Sequence, residues 1–382
     1  MKNVRNIFSL TVFALAALGA ATSAVAQDET VVKIGHIAPL TGAAAHVGKD
    51  LENGARLAVD DINHAGLVIN GQKVKLELDS QDDASDPRIG TQAAQRLIDD
   101  KVVAVVGHLN SGVNIPASKL YNDAGITNVT PAASNPLLTM QGFKTEFRLV
   151  ATDADQGPAL AKFAASNLHL KSVAVVDDAT AYGQGLTREF EKSAKSQGFA
   201  VTSHEVTNDK AVDFRGILTK IKTDRPELIM FGGMDATGGP LAKQAKQLAM
   251  DSKLLMGDGA CTSNLGSLAG PAAANIYCSE GGVALSEMPR GRAFQDAYEK
   301  RFNVPIQSYA PYSYDAVYVI VDAMKRAQSI DPSKILAMMP STNYPGVTGQ
   351  IRFKPNGDLL NTSVSIYQYK DGQKTFLQAL KD

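Results

Sequence analysis

The chain contains no tryptophan, and its only cysteines are Cys261 and Cys278. It also has no block of like charge. Its 38 Lys and Arg face 39 Asp and Glu, so no net positive field exists to draw a polyanion. Without a basic stripe interleaved with aromatics, nucleic-acid recognition is set aside. His36, His46, His64, His108, His169 and His204 are scattered, with no pair at metal-ligand spacing, so neither metal nor cofactor is expected. The G-x-S-x-G nucleophile elbow is absent. "YGQGL" lacks the third glycine of a dinucleotide fingerprint and falls mid-chain. An enzyme is therefore the less favoured class. The acidic stretch "DSQDDASD" lacks the spacing of a calcium loop, and a solvated loop running into Asp86-Pro87 accounts for it. After residue 26 no apolar run approaches the roughly 18 residues of a membrane helix.

What the N-terminus does have is a secretory pattern. Lys2 and Arg5 precede an apolar run from Ile7 to Ala17, and the segment closes on the small residues Ala24-Val25-Ala26. Cleavage after Ala26 is expected, and no neighbouring cysteine is present to carry a lipid anchor. Removing 26 residues from 382 leaves 356, enough for about two domains at ~150 residues each. Export places Cys261 and Cys278 in an oxidising compartment, where they either form a bridge or remain as two buried thiols.

Along the remainder, strands alternate with helices. "VVKIGHIAPL", "KVKLELDS" and "VVAVVG" read as strands, the last apolar on both faces as in a covered parallel sheet. "GARLAVDDINHAG" and "PRIGTQAAQRLIDD" read as helices, the second capped by Asp86 with Pro87 at its first position. The rhythm resumes after Val150, with strands "SVAVVDD", "AVTSHEV", "ELIMFGG", "KLLMGD" and "NIYCSEGG" separated by helices such as "FRGILTKIKTD". Such alternation predicts an α/β fold of two lobes with mostly parallel sheets. Near the end, two successive helices ("GRAFQDAYEKRF", "SYDAVYVIVDAMKRAQ") precede a hairpin region with turns at Asn356-Gly357 and Asp371-Gly372.

In open parallel sheets, ligands lie at the carboxyl ends of strands, where loops feed helix N-termini. Five such loops are rich in small and hydroxylic residues: "GHLNSG", "TPAASNP", "DDATAYGQG", "FGGMDATGG" and "MGDGACTS". Ser111 opens a helix, whose free N–H groups attract an anion. Ser134 adds a hydroxyl and an N–H, Ala132 a carbonyl, and Asp258 a counter-charge for a cation. Each has a plainer account. Ser111 and Ser134 can serve as local caps, Asp258 can bond its own loop, and Tyr182 and Tyr309 can be half-buried aromatics. Spacing alone reaches only a small-molecule cleft between two lobes.

The stretches "DDASDP", "GHLNSGVNIPAS", "TPAASNP", "DQGPA", "AYGQGL", "FGGMDATGG" and "GDGACT" go further. Together they resemble the periplasmic leucine/isoleucine/valine-binding proteins that feed bacterial ABC importers, across essentially the whole mature chain. The resemblance implies two Rossmann-like lobes joined by three crossovers and closing by a hinge. It groups residues 27–150 with 282–345, and 151–281 with 346–382. It implies that Ser111 and Ser134 hold an amino-acid carboxylate, that the Ala132 carbonyl, Ser134 and Asp258 meet the ammonium, and that Ala133 also belongs to the ligand-binding set. Leu109, Asn110, Tyr182, Met234 and Tyr309 would line the side-chain pocket, with His46 and Val47 as a further wall. The implied protein is a monomer, working with membrane permease and ATPase components and without a cofactor.

Three departures stand out. Asp258 replaces a Glu of well-known members, and Met234 replaces a Tyr. A disulfide found in some members has Ser85 and Asn110 at its two positions here, so any bridge must join Cys261 to Cys278. The expected ligand is a branched-chain amino acid. Another small carboxylate or amide, aromatic or short aliphatic, is the alternative.

Overall fold

The computed structural model describes residues 29–381; the secretory pattern and its cleavage point lie outside them. The first sheet carries β1 (Thr30–Ala38), β2 (Leu67–Ile69), β3 (Gln72–Asp82), β4 (Ala104–Gly107), β5 (Thr127–Thr130) and β6 (Glu146–Arg148). Its order is β2-β3-β1-β4-β5-β6, parallel except for the β2–β3 edge pair. α1 (Ala45–Ala65), α2 (Pro87–Asp99), α3 (Ser111–Ala124) and the short α4 (Leu137–Met140) connect these strands.

After residue 148 the chain builds a second sheet. α5 (Asp153–Ser166) leads into β7 (Ser172–Asp177), α6 (Ala181–Ser196), β8 (Ala200–Val206), α7 (Arg215–Asp224) and β9 (Leu228–Gly232). α8 (Asp235–Gln247), β10 (Lys253–Met256), α9 (Leu265–Ala269) and β11 (Ile276–Glu280) follow. The chain then returns to the first lobe as α10 (Gly291–Phe302), α11 (Ala310–Ala327), α12 (Pro332–Met338), β12 (Tyr344–Pro345) and β13 (Gln350–Ile351). It crosses a third time to add β14 (Ser363–Lys370) and β15 (Gln373–Lys381) to the second sheet, ordered β15-β14-β11-β10-β9-β7-β8.

Hydrophobic patterning accounts for most of this. The strands of "VVAVVG" and "SVAVVDD" are buried on both faces, and helices cover them. α11 turns Val317, Ile320 and Met324 into the core that α1 supplies with Leu51, Ala55 and Leu57. Gly54 lets the two helices touch: a Cβ there would stand 2.2 Å from the Ala310 carbonyl oxygen. The hinge segments are tied together, with Ala151 N–H donating to the Gly281 carbonyl at 2.8 Å and Arg148 N–H to the Gly357 carbonyl at 3.0 Å.

Three details differ from the expectations. α1 begins at Ala45, nine residues before "GARLAVDDINHAG", because its polar first turns are fixed by tertiary bonds. Asp50 is buried there and accepts backbone N–H bonds from Gln307, Ser308, Tyr309 and Ala310 at 2.9–3.2 Å, capping the incoming end of α11 from outside. The Asp371-Gly372 turn closes a hairpin between β14 and β15, but Asn356-Gly357 closes only the isolated Phe353–Leu359 bridge, since that segment is crossing between lobes. Val347, Ile351 and Phe353 pack in the first core, so residues 346–353 pack with the first lobe, whereas the expected grouping assigned them to the second.

Candidate ligand site between the lobes

The carboxyl ends of the two sheets face each other across a closed cleft. At the end of β5 the chain folds back on Thr130, whose Oγ1 accepts the N–H of Ala133 at 2.9 Å and donates to the His108 carbonyl at 3.1 Å. That bond ties "TPAASNP" to the loop entering α3. Arg148, fully buried, donates to the carbonyls of Ala133 at 2.6 Å and Asn135 at 3.1 Å and pairs with Asp358 at 2.9 Å. The guanidinium thus consumes two carbonyls of the loop, while that of Ala132 has no donor among the described residues.

Ser111 heads α3. Its Oγ accepts Asn135 N–H at 3.2 Å, while its backbone N–H, like that of Ser134, makes no bond within the described residues. Ser134 Oγ is shielded from solvent, and the buried Asp153 carboxyl at the start of α5 lies close enough to feel its hydroxyl. The first lobe therefore offers unused donors and one unused acceptor in a small space, which is the arrangement that binds an anion beside a cation.

The second lobe supplies Asp258, 1 % exposed. Its carboxylate accepts from Tyr182 Oη at 2.7 Å, Gln156 Nε2 at 3.0 Å and the Gly259 N–H at 3.0 Å. Burial still raises its pKa above the usual carboxylate range, because these neutral donors offset only part of the desolvation. Burial likewise holds the Tyr182 and Tyr309 phenols far above their ordinary value, so both remain O–H donors. Gln156 is itself oriented by Ser279, whose Oγ donates to Oε1 at 3.0 Å. Asp153, buried at the start of α5, is pushed up to about 8 by burial and by the nearby Asp258 charge.

Ser111, Ala132, Ser134, Asp258, Tyr182, Leu109, Asn110, Met234 and Tyr309 all line one small cavity, together with Gly259. No Lys or Arg lines it, so nothing on the walls neutralises Asp258. Three larger grooves lie elsewhere, one behind the hinge around Gly281–Val283 and Thr348–Ile351, one beside Leu170 and Met250 at the far end of the second sheet, and one along α5 around Asp155, Lys162 and Ser363. The groove beside Leu170 carries charges of both signs, from Lys222, Arg225, Lys253, Glu227 and Asp251, but lies on one lobe alone, away from the facing sheet ends.

Three of the expected residues lie off the cavity. Val47 is fully buried in the first core, one helical step from the cleft face. Ala133 spends its carbonyl on Arg148. His46 bridges the lobes, its Nε2 2.7 Å from Asp235 Oδ2 at the head of α8, where Thr262 Oγ1 donates to the same oxygen at 2.6 Å. Burial works against the His46 charge, but the Asp235 hydrogen bond and charge outweigh it and raise its pKa. Asn135 Nδ2, donating to the Ala181 carbonyl at 2.5 Å, and Ser263 Oγ, donating to Gln307 Oε1 at 2.7 Å, complete the closure. Cys261 and Cys278 are joined by a disulfide, and the Cys261 carbonyl accepts Ser308 Oγ across the cleft at 3.1 Å.

Asp50, Gln156, Asp235 and Gly259 were not anticipated as supports of the site. Gln156, Asp235 and Gly259 fall inside the stretches "DQGPA", "FGGMDATGG" and "GDGACT", but nothing in their type or spacing sets them apart.

A match to the periplasmic binding protein family spans residues 31–374. The chain belongs to that family. Its members capture solutes for transport and are not enzymes. The chain is 32% identical over 363 residues to a leucine-, isoleucine-, valine-, threonine- and alanine-binding protein of Pseudomonas aeruginosa, covering 95% of this chain and 96% of the relative. Among solved structures, a leucine-binding protein from Thermotoga maritima superposes with a TM-score of 0.85 at 29% identity, covering 92% of this chain and 99% of that one. A branched-chain amino acid transporter substrate-binding protein from Streptococcus pneumoniae, in complex with isoleucine, does so with the same score at 27% identity, covering 92% and 100%. The periplasmic binding protein fold, with its cleft between two α/β lobes, is thereby established for this chain.

Proposed function

We propose that this periplasmic binding protein captures branched-chain aliphatic amino acids and presents them, by closing around them, to the membrane permease and ATPase of an ABC importer. The observation that carries this reading is the buried Asp258 carboxylate, without a cationic side chain on the cavity walls, facing the unused N–H groups of Ser111 and Ser134 on the other lobe. A zwitterion leaving water needs both charges met at once, since an unpaired buried charge costs several kcal/mol. The ligand carboxylate accepts from Ser111 and Ser134, and its ammonium donates to Asp258 and the Ala132 carbonyl. A simple aromatic or aliphatic acid would leave Asp258 unanswered, which places the alternative second.

Leu109, Met234, Tyr182 and Tyr309 then judge the side chain. One methylene there is worth about 1–3 kcal/mol, so leucine and alanine separate well while leucine and isoleucine separate poorly. Because the carboxylate site and Asp258 belong to different lobes, only the closed form satisfies both ends of the ligand. That differential affinity shifts the open–closed equilibrium and distinguishes loaded from empty protein. The named ligands of the relatives, leucine and isoleucine among them, support the same class. We further propose that the protein acts as a monomer, exported with cleavage after Ala26.

Calorimetry on protein unfolded and refolded to strip carried-over ligand tests the reading. Leucine, isoleucine or valine should bind at micromolar or better, about −8 kcal/mol or stronger. Heat from non-amino carboxylates alone would transfer the assignment to the alternative, and turnover of a ligand would revive an enzyme.

A further inference from the structure

Asn110 is the N-cap of α3, and asparagine at that position ordinarily turns its side-chain oxygen onto the N–H groups of the first helical turn. Here it makes no capping bond. Asn110 lines the ligand cavity, and its Oδ1 is shielded from solvent without a hydrogen-bond partner among the described residues. The zwitterion's charged ends are already answered by Ser111, Ser134, Ala132 and Asp258, so the Asn110 amide is surplus to them. Its neighbours on the side-chain wall, Leu109, Met234 and the rings of Tyr182 and Tyr309, present mostly apolar surface. A wholly aliphatic guest leaves the shielded Oδ1 of the half-buried Asn110 unpaired.

We propose that Asn110 is a specificity residue that makes this pocket favour a short amino acid bearing a side-chain hydroxyl over its aliphatic isostere. This deepens the proposed function and rests on it. Threonine and valine differ only by hydroxyl for methyl, so shape is held constant between them. A hydroxyl both donates and accepts, and therefore satisfies whichever end of the amide faces the cavity. An apolar pocket discriminates weakly between such isosteres, at most about a hundredfold and in favour of valine, whereas a site with a buried polar partner rejects the analogue lacking the hydroxyl. The direction of the preference is thus diagnostic.

The test is calorimetry on ligand-stripped full-length mature protein with threonine, valine and leucine, in the wild type and in Asn110→Leu and Asn110→Ala. Neither substitution removes a capping bond, so both variants should fold. Wild-type protein should bind threonine at least tenfold more tightly than valine, and both variants should reverse that order. Valine binding equal to or tighter than threonine in the wild type, with the same ratio in the variants, would overturn the assignment of Asn110 while leaving the branched-chain reading intact. A threonine preference that survives in both variants would also remove the residue from this role. Failure of all three amino acids to bind would overturn both proposals.

Discussion

Replacing Asp258 by Asn changes one charge and almost no volume, and it should move ligand binding and apoprotein stability in opposite directions. In the closed structure the carboxylate is 1 % exposed and held by neutral donors, those of Tyr182, Gln156, Gly259 and Tyr309. Its raised pKa means that the ionised form is less comfortable in the fold than in the unfolded chain. Such a group lowers stability at pH values above its unfolded pKa, and neutralising it relieves that cost. The Gln156 amide must rotate to face the new amide, which offsets part of the gain. Melting of ligand-free Asp258→Asn at pH 7 should therefore occur at the wild-type temperature or above. Ligand binding should suffer heavily, because the ammonium loses its only anionic partner. Removing one member of a buried pair costs about 3–5 kcal/mol, or roughly 100- to 4,000-fold in Kd. Titration calorimetry with leucine reads the second effect and scanning calorimetry the first. A Kd within threefold of wild type would refute the counter-charge role, and a large fall in apoprotein melting temperature would recast Asp258 as structural.

Other outcomes follow from the same geometry. The His46–Asp235 pair forms only when the lobes close, and His46 has a raised pKa there, so its contribution to closure is complete below the ordinary histidine value of about 6.5 and is lost as pH rises through the closed-state value. Leucine affinity should fall severalfold between pH 6 and 8.5 in the wild type and by less in His46→Gln, a comparison that cancels the titration of Asp153 near 8; equal slopes would dismiss the latch. Reducing the Cys261–Cys278 bridge, which closes a loop across a sequence separation of 17, should lower unfolding free energy by about 3 kcal/mol, and superimposable denaturation curves with and without reductant would contradict this. A methyl at Gly259 would meet both Met234 Sδ and Tyr182 Cε1 at 2.8 Å, so Gly259→Ala should weaken leucine binding tenfold or more in calorimetry, and an unchanged Kd would show that the wall yields freely.

The α/β alternation was legible because buried parallel strands are continuous apolar runs, and "VVAVVG" or "ELIMFGG" can be little else. The start of α1 was not legible. "AHVGKDLEN" has a weak apolar stripe, and its helix depends on Asp50 receiving four N–H groups from a segment some 260 residues later. The strand-end loops announced the site by composition, so Ser111, Ser134 and Asp258 were within reach as residue types, while the resemblance joined them across the chain. Val47 and His46 show the limit: adjacent in a helix, they point in different directions, one into the core and one across the cleft. A loop carbonyl such as Ala133's looks free in sequence, and only the fold brings Arg148 to it.

A crystal structure of stripped protein soaked with leucine bears most directly on the charge arrangement. Density is expected in the cleft, with the ammonium within hydrogen-bonding distance of Asp258 and the Ala132 carbonyl, and the carboxylate on the N–H groups of Ser111 and Ser134. Leucine bound with its ammonium away from Asp258, or an empty cleft under saturating leucine, would contradict it.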